Sequence, residues 1–214
     1  DISKVGYQMM SKKDFYKRWS ELHGNAKISG IVHAWLAISY RFALIATLLR
    51  ISPNVLTLLG LISAIGTALI PFSYWAIALV VLSLLFDGID GSVAIFQRRE
   101  SAWGAILDSV ADRISEAAWA YALYQVGIPL EIAVGLWLAA SVQEYARARL
   151  AAFEVKDLGI VTFAERPMRA SLLFIILIAW QLDIPGLPAI AGAFLVMQII
   201  GALQVMRFGY KQLR

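Results

Sequence analysis

Four aspartates in two closely spaced pairs are the residues of this chain whose types and spacing point most directly to chemistry. Asp87 and Asp90 are three residues apart, and Asp108 and Asp112 are four apart. If both segments are helical, each pair lies on one face of its helix. Carboxylates that close repel one another unless cations neutralise them, and hard oxygen ligands suit Mg²⁺, Mn²⁺ or Ca²⁺ rather than zinc. The spacing therefore predicts a cage for one or two divalent metal ions.

The aspartates lie in strongly apolar sequence. Of the 214 residues, 60% are hydrophobic and 16% are charged, whereas soluble domains average about 45 to 50% apolar and about 25% charged residues. This composition predicts a polytopic membrane protein. A lone carboxylate at the centre of a membrane helix costs about 2.5 to 3.5 kcal/mol, so four of them require a function. The absence of cysteine excludes disulfides and thiolate metal sites.

The polar hinge at residues 97–100 sets the depth of both pairs, because it must reach the membrane surface. At 1.5 Å per residue, Asp90 and Asp108 lie about 10 Å from that surface, and Asp87 and Asp112 lie about 15 Å from it. All four carboxylates are thus predicted at a similar depth near one face of the membrane.

The elements that must position them are helices. Residues 1–29 form a basic N-terminal tail, partly helical at best, of which the first eight are suspected not to be native. Residues 30–210 are predicted to be one all-α membrane domain. Gly30–Arg50 has a mid-segment arginine and fits an interfacial amphipathic helix better than a span. The first of six predicted transmembrane helices begins at the start signal Ser52-Pro53-Asn54 and runs to about Ile70. The other five are about Tyr74–Phe96, Ser101–Val126, Leu130–Phe153, Arg169–Gln181 and Pro188–Phe208.

The distribution of basic residues predicts the orientation. The turns at residues 71–73, 127–131 and 182–187 contain no Lys or Arg, whereas the alternate loops and both tails are rich in them. By the positive-inside rule, both tails and the aspartates face the cytoplasm. We expect an integral protein of a prokaryotic plasma membrane, surrounded by membrane lipids, with no nucleic-acid partner.

A group of arginines is predicted on the same side. Arginine binds phosphate through two parallel hydrogen bonds, which lysine cannot do. The alternative is that these residues only set the topology. We predict binding of a substrate phosphate by Arg147, Arg149, Arg166, Arg169 and Arg207. Metal ions beside such residues indicate phosphoryl transfer to or from a lipid, with one carboxylate as a general base.

Residues 87–112 resemble the signature D-x2-D-G-x2-A-R-x8-G-x3-D-x3-D of the CDP-alcohol phosphotransferase family, also called CDP-alcohol phosphatidyltransferases. The chain matches it at Asp87, Asp90, Gly91, Ala94, Gly104, Asp108 and Asp112. Residues 52–57 with Gly60 resemble the motif at the start of the family's first span, and the resemblance covers about residues 30–210.

The resemblance implies the roles of individual residues. Asp87, Asp90, Asp108 and part of Asp112 would hold two Mg²⁺ or Mn²⁺ ions, and Asp112 would also deprotonate the acceptor alcohol. The CDP group of the donor, CDP-diacylglycerol, would be held by Ser52, Pro53, Asn54, Val55, Gly91 and Ser101. The products would be CMP and a phosphodiester lipid, and a homodimer is expected.

The acceptor is predicted to be a small alcohol phosphate. Residues 145–149 and 163–169 resemble the actinobacterial phosphatidylinositol phosphate synthase branch, which favours inositol phosphate. Glycerol phosphate, as in phosphatidylglycerol phosphate synthases, explains the arginines equally well.

The chain departs from the signature at Ile95, where the family has an arginine that contacts the CDP-linked substrate. Arg98 or Arg99, one turn further on, would replace it, or the donor is atypical. Two readings of other classes remain open: a cation-coupled transporter, since membrane carboxylates mark ion paths, and a catalytically silent relative that binds lipid or nucleotide.

Overall fold

The computed structural model describes residues 10–153, 155 and 162–214, and within these ranges the regular elements are all helices. The suspected non-native residues 1–8 and most of the loop at 154–161 lie outside them. The helices are α1 (Lys12–Leu22), α2 (Gly30–Leu48), α3 (Pro53–Leu69), α4 (Tyr74–Gln97), α5 (Ala102–Gln125), α6 (Leu130–Ala152), α7 (Arg166–Gln181) and α8 (Leu187–Gln212).

Local sequence explains where several helices begin and end. Ser11 caps α1, because its hydroxyl accepts a hydrogen bond of 3.2 Å from the backbone N–H of Asp14. Proline occupies the first turn of α3, α7 and α8, where no N–H is needed. Helix α4 is followed by Arg98 in the left-handed conformation, with a φ of 53°. The next helix, α5, follows Ser101, whose hydroxyl accepts from the N–H of Gly104 at 3.0 Å.

The described residues group into two compact units that share α3, α4 and α5. The first unit contains residues 10–61 and 85–111. Its core joins α1, α2 and the second half of α4, with Phe15, Leu36 and Val93 fully buried. In this unit Trp35 of α2 lies against Gly88, where a side chain would leave it no room. The core thus fixes the half of α4 that carries Asp87 and Asp90.

The second unit contains residues 62–84 and 112–214. Helix α6 packs along α8, and α7 also contacts α8. Leu173, Ile176 and Leu177 of α7 are among its most completely buried residues. Two buried glutamines extend this packing, since Gln198 donates to Gln143 at 2.9 Å.

Among the described helices, α4 and α8 are long and apolar enough to cross a membrane, and α2 with α3 adds a third span if this pair is counted as one. The pair is bent by 107° at the break between its helices. The all-helical membrane class is therefore confirmed. The count of six spans and the interfacial position of α2 stay predictions, as does the single domain at residues 30–210.

Candidate active site

A cavity of about 510 Å³ in the first unit carries most of the predicted donor-site residues in its wall. We call it the carboxylate cavity. Among the residues predicted to bind metal or CDP, its wall includes Pro53, Asn54, Asp87, Asp90, Gly91, Ser101 and Asp108. Ser52 and Val55, predicted with them, form the start of α3 outside this wall, where the N–H of Val55 donates to the carbonyl oxygen of Ser52 at 3.1 Å.

Two carboxylates approach each other in this cavity. Asp87 of α4 and Asp108 of α5 each offer an oxygen atom within 4.8 Å of the other, and both side chains are half-buried. The same distance limit holds between Asp108 and Asp112, one turn apart on the continuous helix α5. Metal–oxygen distances are about 2.0 to 2.6 Å, so two oxygens within 4.8 Å of each other can bind the same ion. A donor set made only of oxygens suits Mg²⁺ or Mn²⁺. The donor set therefore fits a divalent metal.

Asp90 is the most deeply buried of the aspartates, at 7% exposure. Its Oδ2 accepts a hydrogen bond of 2.5 Å from the hydroxyl of Thr57 on α3. Its Oδ1 accepts from the N–H of Gly91, also at 2.5 Å. Asp90 is thus oriented by α3, and its predicted role as a metal ligand remains a prediction.

The two glycines of the motif have different surroundings. A Cβ atom at Gly91 would meet nothing within 4 Å, so open space adjoins the backbone beside Asp90. At Gly104 the same atom would lie 3.1 Å from Oγ of Ser101 and 3.7 Å from Oδ1 of Asn54. Gly91 therefore leaves room for a ligand, whereas Gly104 allows close packing of α5 against α3.

Asp112 belongs to a group of charged residues in the second unit. Its carboxylate forms an ion pair with Arg166 at the start of α7, and Arg113 Nη2 lies 3.8 Å from its Oδ2. The guanidinium of Arg166 also lies over the ring of Trp119, 5.5 Å from the ring centre. The structure thus pairs the predicted base with a predicted phosphate ligand.

Arg147 binds a carboxylate in a bidentate geometry, which is also the geometry in which arginine binds phosphate. Its Nη1 and Nη2 donate to the two oxygens of Glu165 at 2.8 and 2.6 Å. Glu165 also accepts from the N–H and the hydroxyl of Thr162, both at 2.8 Å. Burial by itself would raise the pKa of Glu165, but the hydrogen bonds from Arg147 and Thr162 outweigh it and lower the pKa to about 2.

Arg169 lies deeper and has partners on three elements. Its Nε is 2.8 Å from Glu116 of α5, its Nη2 is 3.4 Å from Glu144 of α6, and its Nη1 donates to the carbonyl oxygen of Ala164 at 2.7 Å. Glu116 also pairs with Arg113 at 2.7 Å. Both Arg169 and Glu116 are more than nine-tenths buried, so this cluster holds α5, α6 and α7 together.

The two other predicted arginines lie at the surface. Arg149 is exposed on α6, with its guanidinium 5.4 Å from the ring centre of Phe153. Arg207 is exposed on α8. The structure therefore brings Arg147, Arg166 and Arg169 among acidic residues and leaves Arg149 and Arg207 on outer faces, where their phosphate-binding role stays a prediction.

The sequence reasoning missed the acidic partners of the arginines and the contribution of α1. Glu116 follows Asp112 by four residues, and Glu144 precedes Arg147 by three, which are spacings that place charges on one helix face. That spacing could have identified both glutamates. For Trp19 and His23, which also line the carboxylate cavity, the sequence carries no comparable signal.

Comparison with known proteins identifies the family of the chain. The model of the family described as CDP-alcohol phosphatidyltransferase matches residues 50–206. The chain belongs to the CDP-alcohol phosphatidyltransferase family. It is therefore a transferase of phospholipid biosynthesis in a membrane-enzyme family, and the transporter and silent-relative readings are set aside.

Several relatives in the family are named as synthases of inositol phosphate lipids. The archaetidylinositol phosphate synthase of Aeropyrum pernix is 33% identical over 173 residues, which cover 77% of this chain and 87% of the relative. The phosphatidylinositol phosphate synthase of Mycobacterium tuberculosis is 35% identical over 154 residues, 66% of this chain and 69% of the relative.

Crystal structures of phosphatidylinositol phosphate synthase from the same bacterium share the fold. The structure with manganese and citrate has a TM-score of 0.66 and 23% identity, covering 80% of this chain and 88% of that chain. The structure with CDP-diacylglycerol has a TM-score of 0.64 and 24% identity, covering 81% and 94%.

Proposed function

We propose that this protein transfers the phosphatidyl group of CDP-diacylglycerol to a hydroxyl of inositol phosphate and releases CMP. The observation that carries the proposal is the carboxylate cavity, in which Asp87 and Asp108 approach within 4.8 Å beside the open backbone at Gly91. The names of the inositol phosphate synthases to which the chain is similar support this acceptor.

Divalent metal is part of the proposal. Asp87, Asp90, Asp108 and Asp112 would hold one or two ions, either Mg²⁺ or Mn²⁺, because their oxygens form a hard donor set. When bound, such ions neutralise a diphosphate and stabilise the departing phosphate. Thr57 keeps the carboxylate of Asp90 in a fixed orientation for this role.

The remaining residues bind the donor or transfer a proton. Pro53, Asn54, Gly91 and Ser101 hold the CDP part of the donor in the cavity. Asp112 accepts the proton of the acceptor hydroxyl, the freed oxygen forms a bond to the phosphatidyl phosphorus, and the bond from that phosphorus to the CMP oxygen breaks. CMP leaves with the electron pair of that bond.

The donor also needs a cation near its diphosphate, and Arg99 is our candidate. Ile95, which stands at the family's arginine position, has 5% exposure and packs in the core of the first unit. Arg99, four residues later, is exposed and lines the carboxylate cavity, whereas Arg98 lines a separate groove with Asp14 and Lys17. We therefore propose that Arg99, and not Arg98, binds the diphosphate of the donor.

The acceptor phosphate is proposed to bind at the arginines of the second unit. Arg147 and Arg166 each contact a carboxylate. Because arginine binds phosphate and carboxylate in the same way, a phosphate can replace either carboxylate while the backbone stays in place. Arg169 is buried with Glu116 and acts by positioning the others.

We further propose six transmembrane helices preceded by α2 at the interface. Helix α5 carries charged residues on one face, which lowers its mean hydropathy below that of α4 and α8. Its other face exposes a continuous apolar stripe at helical spacing, formed by Trp103, Ile106, Val110, Ile114 and Tyr121. An apolar stripe of this length suits contact with lipid. Helix α2 likewise exposes Trp35, Ile38, Phe42 and Ile45.

The active site is proposed to face the cytoplasm of a prokaryotic cell, because basic residues cluster in alternate loops. A homodimer, expected from the family resemblance, is part of the same proposal. Light scattering of the detergent-solubilised protein would measure its mass.

A CMP-release assay tests the function. Purified protein with CDP-diacylglycerol and Mg²⁺ or Mn²⁺ is given inositol phosphate, inositol, glycerol phosphate or serine in separate reactions. We expect the highest rate with inositol phosphate and loss of activity on chelation. Faster turnover of glycerol phosphate would move the assignment to a phosphatidylglycerol phosphate synthase, and equal rates with unphosphorylated acceptors would refute the arginine assignment.

A further inference from the structure

The C-terminal end of α1 forms part of the wall of the carboxylate cavity. Trp19, Leu22 and His23 line the same cavity as Asp87 and Asp108. These residues precede the segment 50–206 that the family model matches. The family comparison therefore assigns no function to them.

Helix α1 is held in this position along its length. The side chain of Phe15 is fully buried, with its ring centre 5.6 Å from that of Tyr40 on α2. The hydroxyl of Tyr40 donates to the carbonyl oxygen of Met10 at 3.1 Å. On the other side, Nε of Arg18 donates to Glu100, itself a residue of the cavity wall, at 2.9 Å. These contacts fix the helix end beside the cavity.

The helix presents a pair of stacked aromatic rings. The ring centres of Trp19 and His23 are 4.0 Å apart, with an angle of 17° between the rings. His23 Nδ1 lies 2.8 Å from the carbonyl oxygen of Trp19. Because that oxygen only accepts, Nδ1 carries the proton. The contact fixes the orientation of the imidazole and leaves Nε2 directed away from it.

The surroundings of this pair favour a nucleoside over an acyl chain. Helix α1 also carries Lys12, Lys13, Lys17 and Arg18, so it lies in water or among headgroups rather than in the hydrocarbon. The polar side chains of Asn54, Glu100 and Ser101 line the same cavity. A flat ring with hydrogen-bonding edges matches this combination, because aromatic side chains stack on nucleobases regardless of sequence.

We propose that Trp19 and His23 bind the cytosine ring of the CDP-linked donor, so that α1 closes the nucleoside end of the carboxylate cavity. This assignment rests on the proposed function, since it takes the cavity as the donor site. It makes a helix outside the family's matched segment part of the substrate site.

Binding of CDP itself, without lipid, tests the proposal. The full chain in detergent is titrated with CDP in the presence of Mn²⁺ by calorimetry, comparing wild type with Trp19→Leu, Trp19→Phe and His23→Leu. Trp75→Leu serves as the matched control, because Trp75 is 73% exposed and lies outside the cavity wall. We expect Trp19→Leu to weaken CDP binding about tenfold, which is the low end of the effect of a base-stacking residue. Trp19→Phe keeps most of the affinity, and Trp75→Leu keeps all of it.

The outcomes separate this inference from the proposed function. Unchanged CDP affinity in Trp19→Leu overturns the inference even if CMP release proceeds. Weaker binding of CDP-diacylglycerol with unchanged CDP binding also overturns it, because the pair would then contact the lipid part. A chain that releases no CMP with any acceptor, yet binds CDP about tenfold more weakly after Trp19→Leu, keeps the inference and refutes the function. Thermal melting of each variant verifies that the overall fold is kept, and the retained affinity of Trp19→Phe verifies that α1 stays in place.

Discussion

Asp112 is the aspartate that we propose as the general base. It lies one turn after Asp108 on α5, and its carboxylate contacts Arg166. The contact with Arg166 places this carboxylate beside the arginine that we propose binds the acceptor phosphate. This supports our assignment of Asp112 as the general base.

Asp112→Asn is predicted to remove the base while keeping a ligand oxygen. We expect CMP release to fall about 10²- to 10⁴-fold, the usual contribution of a general base. Mn²⁺ affinity, measured by electron paramagnetic resonance, should change far less. Asp183→Asn is the control, because the same chemical change is made in an exposed turn. Full turnover by Asp112→Asn would contradict the assignment.

Thr57 is predicted to act through Asp90. Thr57→Val removes the 2.5 Å hydrogen bond to a buried carboxylate at nearly constant volume, so Mn²⁺ affinity should fall about 10- to 100-fold. Thr57→Ser should restore it. Thr67→Val is the matched control, because the Thr67 hydroxyl bonds only the carbonyl oxygen of Ser63 among the contacts described for it. Equal losses in the two valine variants would mean a general effect on α3.

The lowered pKa of Glu165 predicts how the stability of the fold depends on pH. Its pKa is about 2 in the folded chain and about 4.5 in the unfolded chain. A carboxyl group whose pKa is lowered on folding stabilises the folded state at every pH above its unfolded pKa. This contribution is lost as the pH falls from the unfolded pKa through the folded pKa. The melting temperature of wild type should therefore exceed that of Glu165→Gln at pH 5 to 7, and the gap should narrow from about pH 4.5 towards pH 2. A gap that widens with acid would contradict this.

At the scale of elements, α5, α6 and α7 are joined by buried charges rather than by apolar packing alone. Glu116 and Arg169 are exposed by only 4% and 8%, respectively. A buried pair of this kind contributes little net stability, but removal of one partner leaves the other charge uncompensated.

Glu116→Leu is accordingly predicted to destabilise the protein by about 3 kcal/mol or more. The double variant Glu116→Leu with Arg169→Met should recover much of that loss, because neither buried charge remains. Thermal melting in one detergent compares the three proteins. A double variant no more stable than Glu116→Leu alone would contradict this prediction, because the loss would then not come from the uncompensated charge of Arg169.

At the scale of the whole molecule, the cysteine-free sequence allows the topology to be measured directly. Leu182→Cys lies in the exposed turn after α7, and Leu213→Cys lies in the exposed C-terminal tail. With six spans and a cytoplasmic tail, an impermeant maleimide should label position 182 in intact cells and position 213 only after lysis. Labelling of both positions from one side would refute the six-span arrangement.

The sequence predicted the helices well because apolar runs, prolines and polar turns are local signals. Helix α4 ends within a residue of the expected Phe96. The motif spacing likewise predicted the approach of Asp87 and Asp108. The pairs Arg147–Glu165 and Arg169–Glu116 were not predicted, because each joins residues that are far apart along the chain. The docking of α1 depends on Phe15 reaching a core built mostly from α2 and α4, which no local pattern announces.

The pairing of Glu116 with Arg169 has a consequence for how the protein is made. Arg169 is synthesised about 50 residues after Glu116, which takes roughly 3 to 10 s at a translation rate of about 5 to 20 residues per second. During that interval α5 has left the ribosome, but the arginines of α7 that pair with its carboxylates do not yet exist. Unpaired carboxylates are costly in the bilayer, so α5 alone enters lipid poorly. We expect α5 to wait beside the insertion machinery until α7 arrives, so that the two helices enter the bilayer together.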